Sequence, residues 1–261
     1  MQQPIAPSWN PTPAGERLAT AWNTGERLTA LPEQERPASL EQGYAAQAVM
    51  VERIGEGHCG WKIAGASPRG LRGELPAAPV TGCLIPSRVI PSGSSLQLPV
   101  GTAMTLEAEI AFRFVREISP ADEALDIGTM IAGAHVAMEV VYSRFHDRKA
   151  VGQASFVADN VGFHALVLGD IVPFAQGMLY DEDAGIWRDG ERVAQSLSGD
   201  DRTQPFLSLS FLWKQLALQR QTIPEGAVVT TGTLCVPVDT ARTGVYEARV
   251  GTAAVSLTLA G

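Results

Sequence analysis

Residues 106–114 read Leu-Glu-Ala-Glu-Ile-Ala-Phe-Arg-Phe, a mostly apolar run that carries two acids one residue apart. In an extended strand every second side chain projects to the same face, so Glu107 and Glu109 stand side by side. Two like charges so placed repel, and on an apolar strand they are costly unless a cation compensates them. A hard divalent ion would do so through oxygen ligands; the ordinary alternative is a half-exposed strand whose acids face solvent. A third acid, Glu139, sits in a second apolar run, Val-Ala-Met-Glu-Val-Val-Tyr at 136–142. A helix crossing between the two strands would bring it beside the pair. Three carboxylates from two strands, with water and substrate in the remaining positions, suit octahedral Mg²⁺ or Mn²⁺. No His or Cys keeps ligand spacing with these acids, which argues against zinc.

Lys62 is a lone lysine in the apolar stretch Gly60-Trp61-Lys62-Ile63-Ala64. A lysine desolvated beside a cation releases its proton more readily, the usual route to a proton shuttle; the alternative is a lysine snorkelling from a strand end. Other candidates are weaker. His58 reads as a turn histidine. His135, His146 and His164 have no Ser or Cys partner in a nucleophile setting. Arg144 would pair with Glu139 or with a substrate carboxylate. Gly55 and Gly57 open no helix and make no nucleotide-binding fingerprint.

The elements that must position these residues divide the chain in two. The first 57 residues read as a helical segment packed on a main domain, 58–261. Apolar spacing predicts a helix over Ala14–Leu31, stopped by Pro32, and another from Ser39 to Ile54 with Ser39 and Gln42 as a capping box. After Gly60 short runs of Val, Ile, Leu and Thr alternate with Gly and Pro. Strands are expected at Trp61–Ala66, Ser95–Pro99, Ala103–Val115, Ala134–Tyr142 and Ala165–Leu168. A hairpin is expected within Met178–Ser196, and further strands at Ala227–Thr231, Thr233–Pro237, Val245–Val250 and Ala254–Leu259. Ser119 to Glu123 carries helix-start signals, and Gln204–Gln221 reads as a Leu-rich helix. Strands outnumber helices without regular alternation, which gives a β-rich α+β class.

Of the 261 residues, 45% are hydrophobic and only 18% charged, with 26 Gly and 17 Pro, so the chain can build a large core with many turns and disorder is excluded. A net charge of −8 without a basic run argues against nucleic acid. No stretch approaches a membrane span, and the N-terminal residues lack the pattern of a signal peptide. Three scattered cysteines read as reduced thiols of a cytoplasmic protein. The low charge density points to a homo-oligomer.

Five motifs in order carry a resemblance: Gly60-Trp61-Lys62-Ile63, Glu107-Ala108-Glu109, Glu139-Val140-Val141-Tyr142-Ser143-Arg144, Ala158-Asp159-Asn160 and Val229-Thr230-Thr231-Gly232-Thr233. In these the chain resembles the 2-keto-4-pentenoate hydratase / 4-oxalocrotonate decarboxylase family of the fumarylacetoacetate hydrolase superfamily, from Tyr44 almost to the C-terminus. The resemblance implies a mixed β-roll or sandwich with an N-terminal helical segment. It implies one Mg²⁺ or Mn²⁺ held by Glu107, Glu109 and Glu139, with Lys62 as the catalytic proton carrier. Thr231, Gly232 and Thr233 would line the carboxylate end of a short 2-oxo or 2-hydroxy dienoic acid from aromatic-ring degradation. The implied activity is a hydratase giving a 4-hydroxy-2-oxo acid. Its alternatives are a decarboxylase of 2-oxo-3-enedioates, a tautomerase or C–C hydrolase on the same enolate, or a non-catalytic partner subunit. A complex with a neighbouring pathway enzyme would also fit. The chain departs from the family pattern twice. Pro79-Val80-Thr81-Gly82 stands where relatives carry Pro-Asp-x-Gly, and Val161-Gly162 where many have Ala-Ser or Ala-Cys. An acid and a hydroxyl or thiol are thereby missing.

Overall fold

A computed structural model of the chain describes residues 9–122, 127–175 and 177–261. In chain order its first elements are α1 (Thr12–Thr24), α2 (Leu40–Ile54), β1 (Gly60–Ala64), α3 (Pro68–Leu71), β2 (Val80–Cys83), β3 (Val89–Pro91), β4 (Ser94–Gln97) and β5 (Met104–Phe114). There follow α4 (Ile127–Met130), β6 (Ile131–Val141), α5 (Gly152–Ala158), β7 (Phe163–Val172), β8 (Ala184–Arg188) and β9 (Glu191–Ala194). The chain ends with α6 (Pro205–Leu218), β10 (Val228–Thr230), β11 (Val238–Thr240), β12 (Gly244–Val250) and β13 (Ala253–Ala260).

These elements form two compact units. One takes residues 1–57 together with 143–162, the other 58–142 together with 163–261. In the helical unit α1 ends at Gly25, whose φ of 74° makes a left-handed cap, and not at Pro32. The Ser39 side chain accepts from Gln42 N and the Gln42 side chain accepts from Ala38 N, so a reciprocal cap starts α2. Leu18, Leu31, Ala46, Met50, Phe145 and Ala158 make its core. The approach of α1 to α2 is close enough that a Cβ on Gly15 would lie 2.5 Å from the Val49 Cβ. One on Gly43 would lie 2.6 Å from the Ala154 carbonyl oxygen.

The second unit is two sheets. The larger runs β2-β1-β10-β5-β6-β7-β3, with β11 also on β5; the smaller runs β4-β13-β12-β8-β9. β12 and β13 pack against β5, β6 and β7, and Val136, Met138, Ala248, Val255 and Leu257 belong to the one buried core of this unit. This is the β-rich α+β class expected.

Several expectations change in detail. β5 and β6 pair antiparallel as direct neighbours, with the four-residue α4 as the only helix among the described residues of their connection, so strand register and not a crossover sets Glu139 beside Glu107. Ser119–Asp122 is a turn closed by Asp122 on the Ser119 amide, and the rest of the predicted helix start, from Glu123, lies outside the described residues. The strand expected at Thr233–Pro237 is replaced by β11 after it, because residues 231–236 form a loop. Short elements rich in Gly, Pro and Ser, namely α3, β2, β3 and α5, have no counterpart in the sequence reading.

Candidate metal centre

Strand register assembles the site. Lys62 of β1 lies opposite Thr230 of β10, Thr230 opposite Ala111 of β5, and Glu107 opposite Glu139 of β6. Directly opposed residues share a face, and alternation puts Glu107 and Glu109 on the face of Ala111. Lys62, Thr230, Glu107, Glu109 and Glu139 therefore project from one side of the large sheet. In a flat sheet β1 and β6 would be about 14 Å apart. Side chains standing off those strands meet only where the sheet curls, concave towards them. They do meet: Lys62 Nζ is 2.9 Å from Glu139 Oε1.

Ligand oxygens of Glu107, Glu109 and Glu139 lie within 4.8 Å of one another. Glu109 and Glu139 are fully buried and Lys62 is 2% exposed, while Glu107 is half-buried at the rim. Glu109 is held on one side: the Thr230 hydroxyl and the Gly232 amide both donate to its Oε2, the latter at 2.8 Å. Its Oε1 and both oxygens of Glu139 are buried without a hydrogen bond. Lys62 and Glu139 thus form a buried ion pair. Burial, then the charges of Glu139 and Glu107, push the Glu109 carboxyl well above the usual carboxylate range, against the two donors on Oε2. Burial also raises Glu139, with Lys62 opposing it. Three close carboxylates with buried oxygens that accept no hydrogen bond form an all-oxygen donor set that fits a hard divalent cation.

The three residues expected at a substrate carboxylate have other bonds. The Thr231 hydroxyl donates to the Ile110 carbonyl at 2.9 Å, the Gly232 amide to Glu109, and the Thr233 hydroxyl to the Cys235 carbonyl at 2.8 Å. The residue of this motif that faces the acids through its side chain is Thr230, to which the sequence reading gave no role. No local signal marks it, because the β1–β10–β5 pairing decides which hydroxyl faces the acids. β2 pairs with β1 so that Gly82 lies opposite Lys62 and Val80 opposite Ala64. The strand beside Lys62 thus presents Val80 and Gly82 on this face, neither of them titratable.

Arg144 is engaged with Asp159. Asp159 accepts from Arg144 Nε, from the Arg144 amide at 3.1 Å and from the Ser143 hydroxyl at 2.7 Å. The guanidinium also lies 5.2 Å over the Trp22 ring. His58 packs its ring edge-on against Trp61, and His135 Nδ1 faces the Gly169 carbonyl. Among the described residues Cys59, Cys83 and Cys235 form no disulfide. Among the described residues no helix is long and apolar enough to cross a membrane.

No protein-family model matches the chain, and no curated protein matches it in sequence. Among solved structures it is similar to 4-oxalocrotonate decarboxylase from Pseudomonas putida G7 complexed with magnesium and adipate. The identity is 19% and the TM-score 0.82, over 99% of this chain and 100% of that one. The same enzyme complexed with calcium and acetate gives a TM-score of 0.80 at 19% identity, with the same coverage. The 5-carboxymethyl-2-hydroxymuconate delta-isomerase from Mycobacterium smegmatis is more distant, with 17% identity and a TM-score of 0.51 over 76% of this chain and 75% of that one. At such identities the likeness is one of fold. The chain has the fold of 4-oxalocrotonate decarboxylase, the fold that its five motifs imply.

Proposed function

We propose that the chain is a divalent-metal-dependent enzyme that acts on a short conjugated 2-oxo acid through its enolate, and that its reaction is decarboxylation of a 2-oxo-3-enedioate. The observation that carries this is the convergence of Glu107, Glu109 and Glu139 on one sheet face, with buried oxygens left unsatisfied, beside a buried lysine. These three acids would hold Mg²⁺ or Mn²⁺, which when bound supplies Lewis-acid stabilisation of negative charge developing on the substrate's 2-oxygen. Thr230 and Gly232 keep Glu109 aimed. Lys62 carries the proton. Cleavage between C5 and the terminal carboxylate releases CO₂, and the electron pair runs through the conjugated enone to the 2-oxygen. Lys62 Nζ then delivers the proton that neutralises it.

Hydration of a 2-hydroxy-2,4-dienoate, the activity named first by the resemblance, runs through the same enolate and is the second reading. It needs in addition a group that takes a proton from water, and Val80 and Gly82 offer none next to Lys62. The decarboxylase fold of the first two similar structures supports the same preference.

The test is a panel of enedioic and dienoic acids followed by ultraviolet absorbance and CO₂ release, with Mg²⁺ or Mn²⁺ added. Metal-dependent CO₂ from the enedioate is expected. Loss of dienoate absorbance without CO₂ would favour hydration, and no reaction with either metal would remove the enolate reading. Glu107→Gln and Glu139→Gln should each abolish calorimetric Mn²⁺ binding.

A further inference from the structure

We infer that Thr230 sets which divalent cation the centre prefers, by fixing Glu109 as a one-oxygen ligand. The inference rests on the metal-binding reading above. Two donors, the Thr230 hydroxyl and the Gly232 amide, converge on the same Glu109 oxygen, Oε2, while Oε1 is buried with no hydrogen bond. A carboxylate so held has one oxygen committed to the protein and one to offer. Magnesium and manganese accept single oxygens in octahedral geometry. Calcium takes 6–8 oxygens and commonly draws both from a carboxylate. Removing the Thr230 hydroxyl leaves Oε2 with the Gly232 amide alone, which loosens the orientation and lets a large ion compete for the second oxygen, as calcium can and the smaller ions cannot.

The position explains why this residue acts. Thr230 is fully buried in the middle of the sheet, opposite both Lys62 and Ala111, so its side chain cannot turn to solvent. The hydroxyl of the next residue, Thr231, is spent on the Ile110 carbonyl and cannot replace it. Gly232 holds its amide towards Glu109 from a backbone with φ of 104°. A Cβ there would lie 2.9 Å from Thr203 Oγ1, so this second donor is fixed by close packing. Thr230 is thus a positioning residue: it reaches the cation only through Glu109.

The experiment titrates the full chain with MnCl₂, MgCl₂ and CaCl₂ by calorimetry, for wild type and for Thr230→Val, Thr230→Ala and Thr230→Ser. Circular dichroism checks each fold, and Thr230→Ala carries the test if the valine variant does not fold. Outer-sphere partners of metal ligands typically contribute about 10–100-fold in affinity. Thr230→Val and Thr230→Ala should lose Mn²⁺ and Mg²⁺ affinity by about tenfold or more, with a smaller loss for Ca²⁺, and Thr230→Ser should restore the wild-type preference. An equal loss for all three ions, or no loss, overturns the inference. If wild type itself binds none of the ions, the metal-binding reading fails, a result distinct from a flat preference in the variants.

Discussion

Replacing Lys62 with Met should give a protein that turns over poorly yet binds its cation more tightly than wild type. At 2.9 Å the Lys62–Glu139 pair is worth at most about 6 kcal/mol for an effective dielectric near 20. Both side chains are nearly inaccessible, at 3% and 1% exposed, so solvent screens little of it. A cation that draws on the Glu139 charge must weaken this pair, and part of its binding energy goes to that. Methionine fills much the same volume without the ammonium. If only a quarter of the attraction is recovered, about 1.4 kcal/mol, Mn²⁺ affinity rises about tenfold. Turnover should meanwhile fall about 10²–10⁴-fold, the usual contribution of a positioned proton carrier. Without metal the same variant leaves Glu139 buried and unpaired, so it should melt below wild type at pH 8, with the deficit shrinking towards pH 5 as Glu139 takes up a proton. Calorimetry with MnCl₂, steady-state rates and melting at the two pH values read all three effects. Weaker Mn²⁺ binding in a folded variant would show that Lys62 helps to hold the centre instead of opposing the ion, and unchanged turnover would remove its role as proton carrier.

Other consequences can be measured directly. Because Glu109 and Glu139 are raised in the folded chain, the metal-free fold binds more protons than the unfolded one. Its stability should fall as pH rises above about 4.5, and added Mn²⁺ should raise the melting temperature more at pH 7.5 than at pH 5.5. An equal rise at both would contradict those shifts. Gly232→Ala forces a Cβ against Thr203 from a left-handed backbone. A stability loss of about 1–3 kcal/mol and weaker Mn²⁺ binding are expected in denaturant and calorimetric titrations. Asp159→Asn breaks a buried pair with Arg144 and should destabilise by about 3–5 kcal/mol; a urea midpoint close to wild type would argue against that role.

How much of this could be read from the residues differs from one to the next. Glu107 and Glu109 are legible because strand alternation is strictly twofold, so their shared face follows from spacing alone. Glu139 was nameable as an acid in an apolar run, but its pairing with Glu107 is a matter of register across a long connection, which no local signal encodes. The helix expected in that connection illustrates the gap. Ser119 and Asp122 carry start signals, yet they bond to each other in a turn. Among four successive residues, 230–233, the sequence cannot say which hydroxyl faces the acids. That is decided by the β1–β10–β5 pairing, and it falls on Thr230. β2, only four residues long and containing a glycine, has too little pattern to be read as a strand, although it forms the wall beside Lys62.

The helical unit is discontinuous in sequence, and this has a consequence for synthesis. Its core needs Phe145 and Ala158 as much as Leu18 and Met50. When residue 57 leaves the ribosome, α1 and α2 still lack partners that emerge about a hundred residues later, a wait of about 5–20 s at ordinary elongation rates. During that interval the apolar faces around Leu18, Ala46 and Met50 have nothing from 143–162 to cover them. A fragment cut after Gly57 would be left in that state permanently. Slowing elongation across the β5–β6 region would prolong it and raise the fraction of chains lost to aggregation.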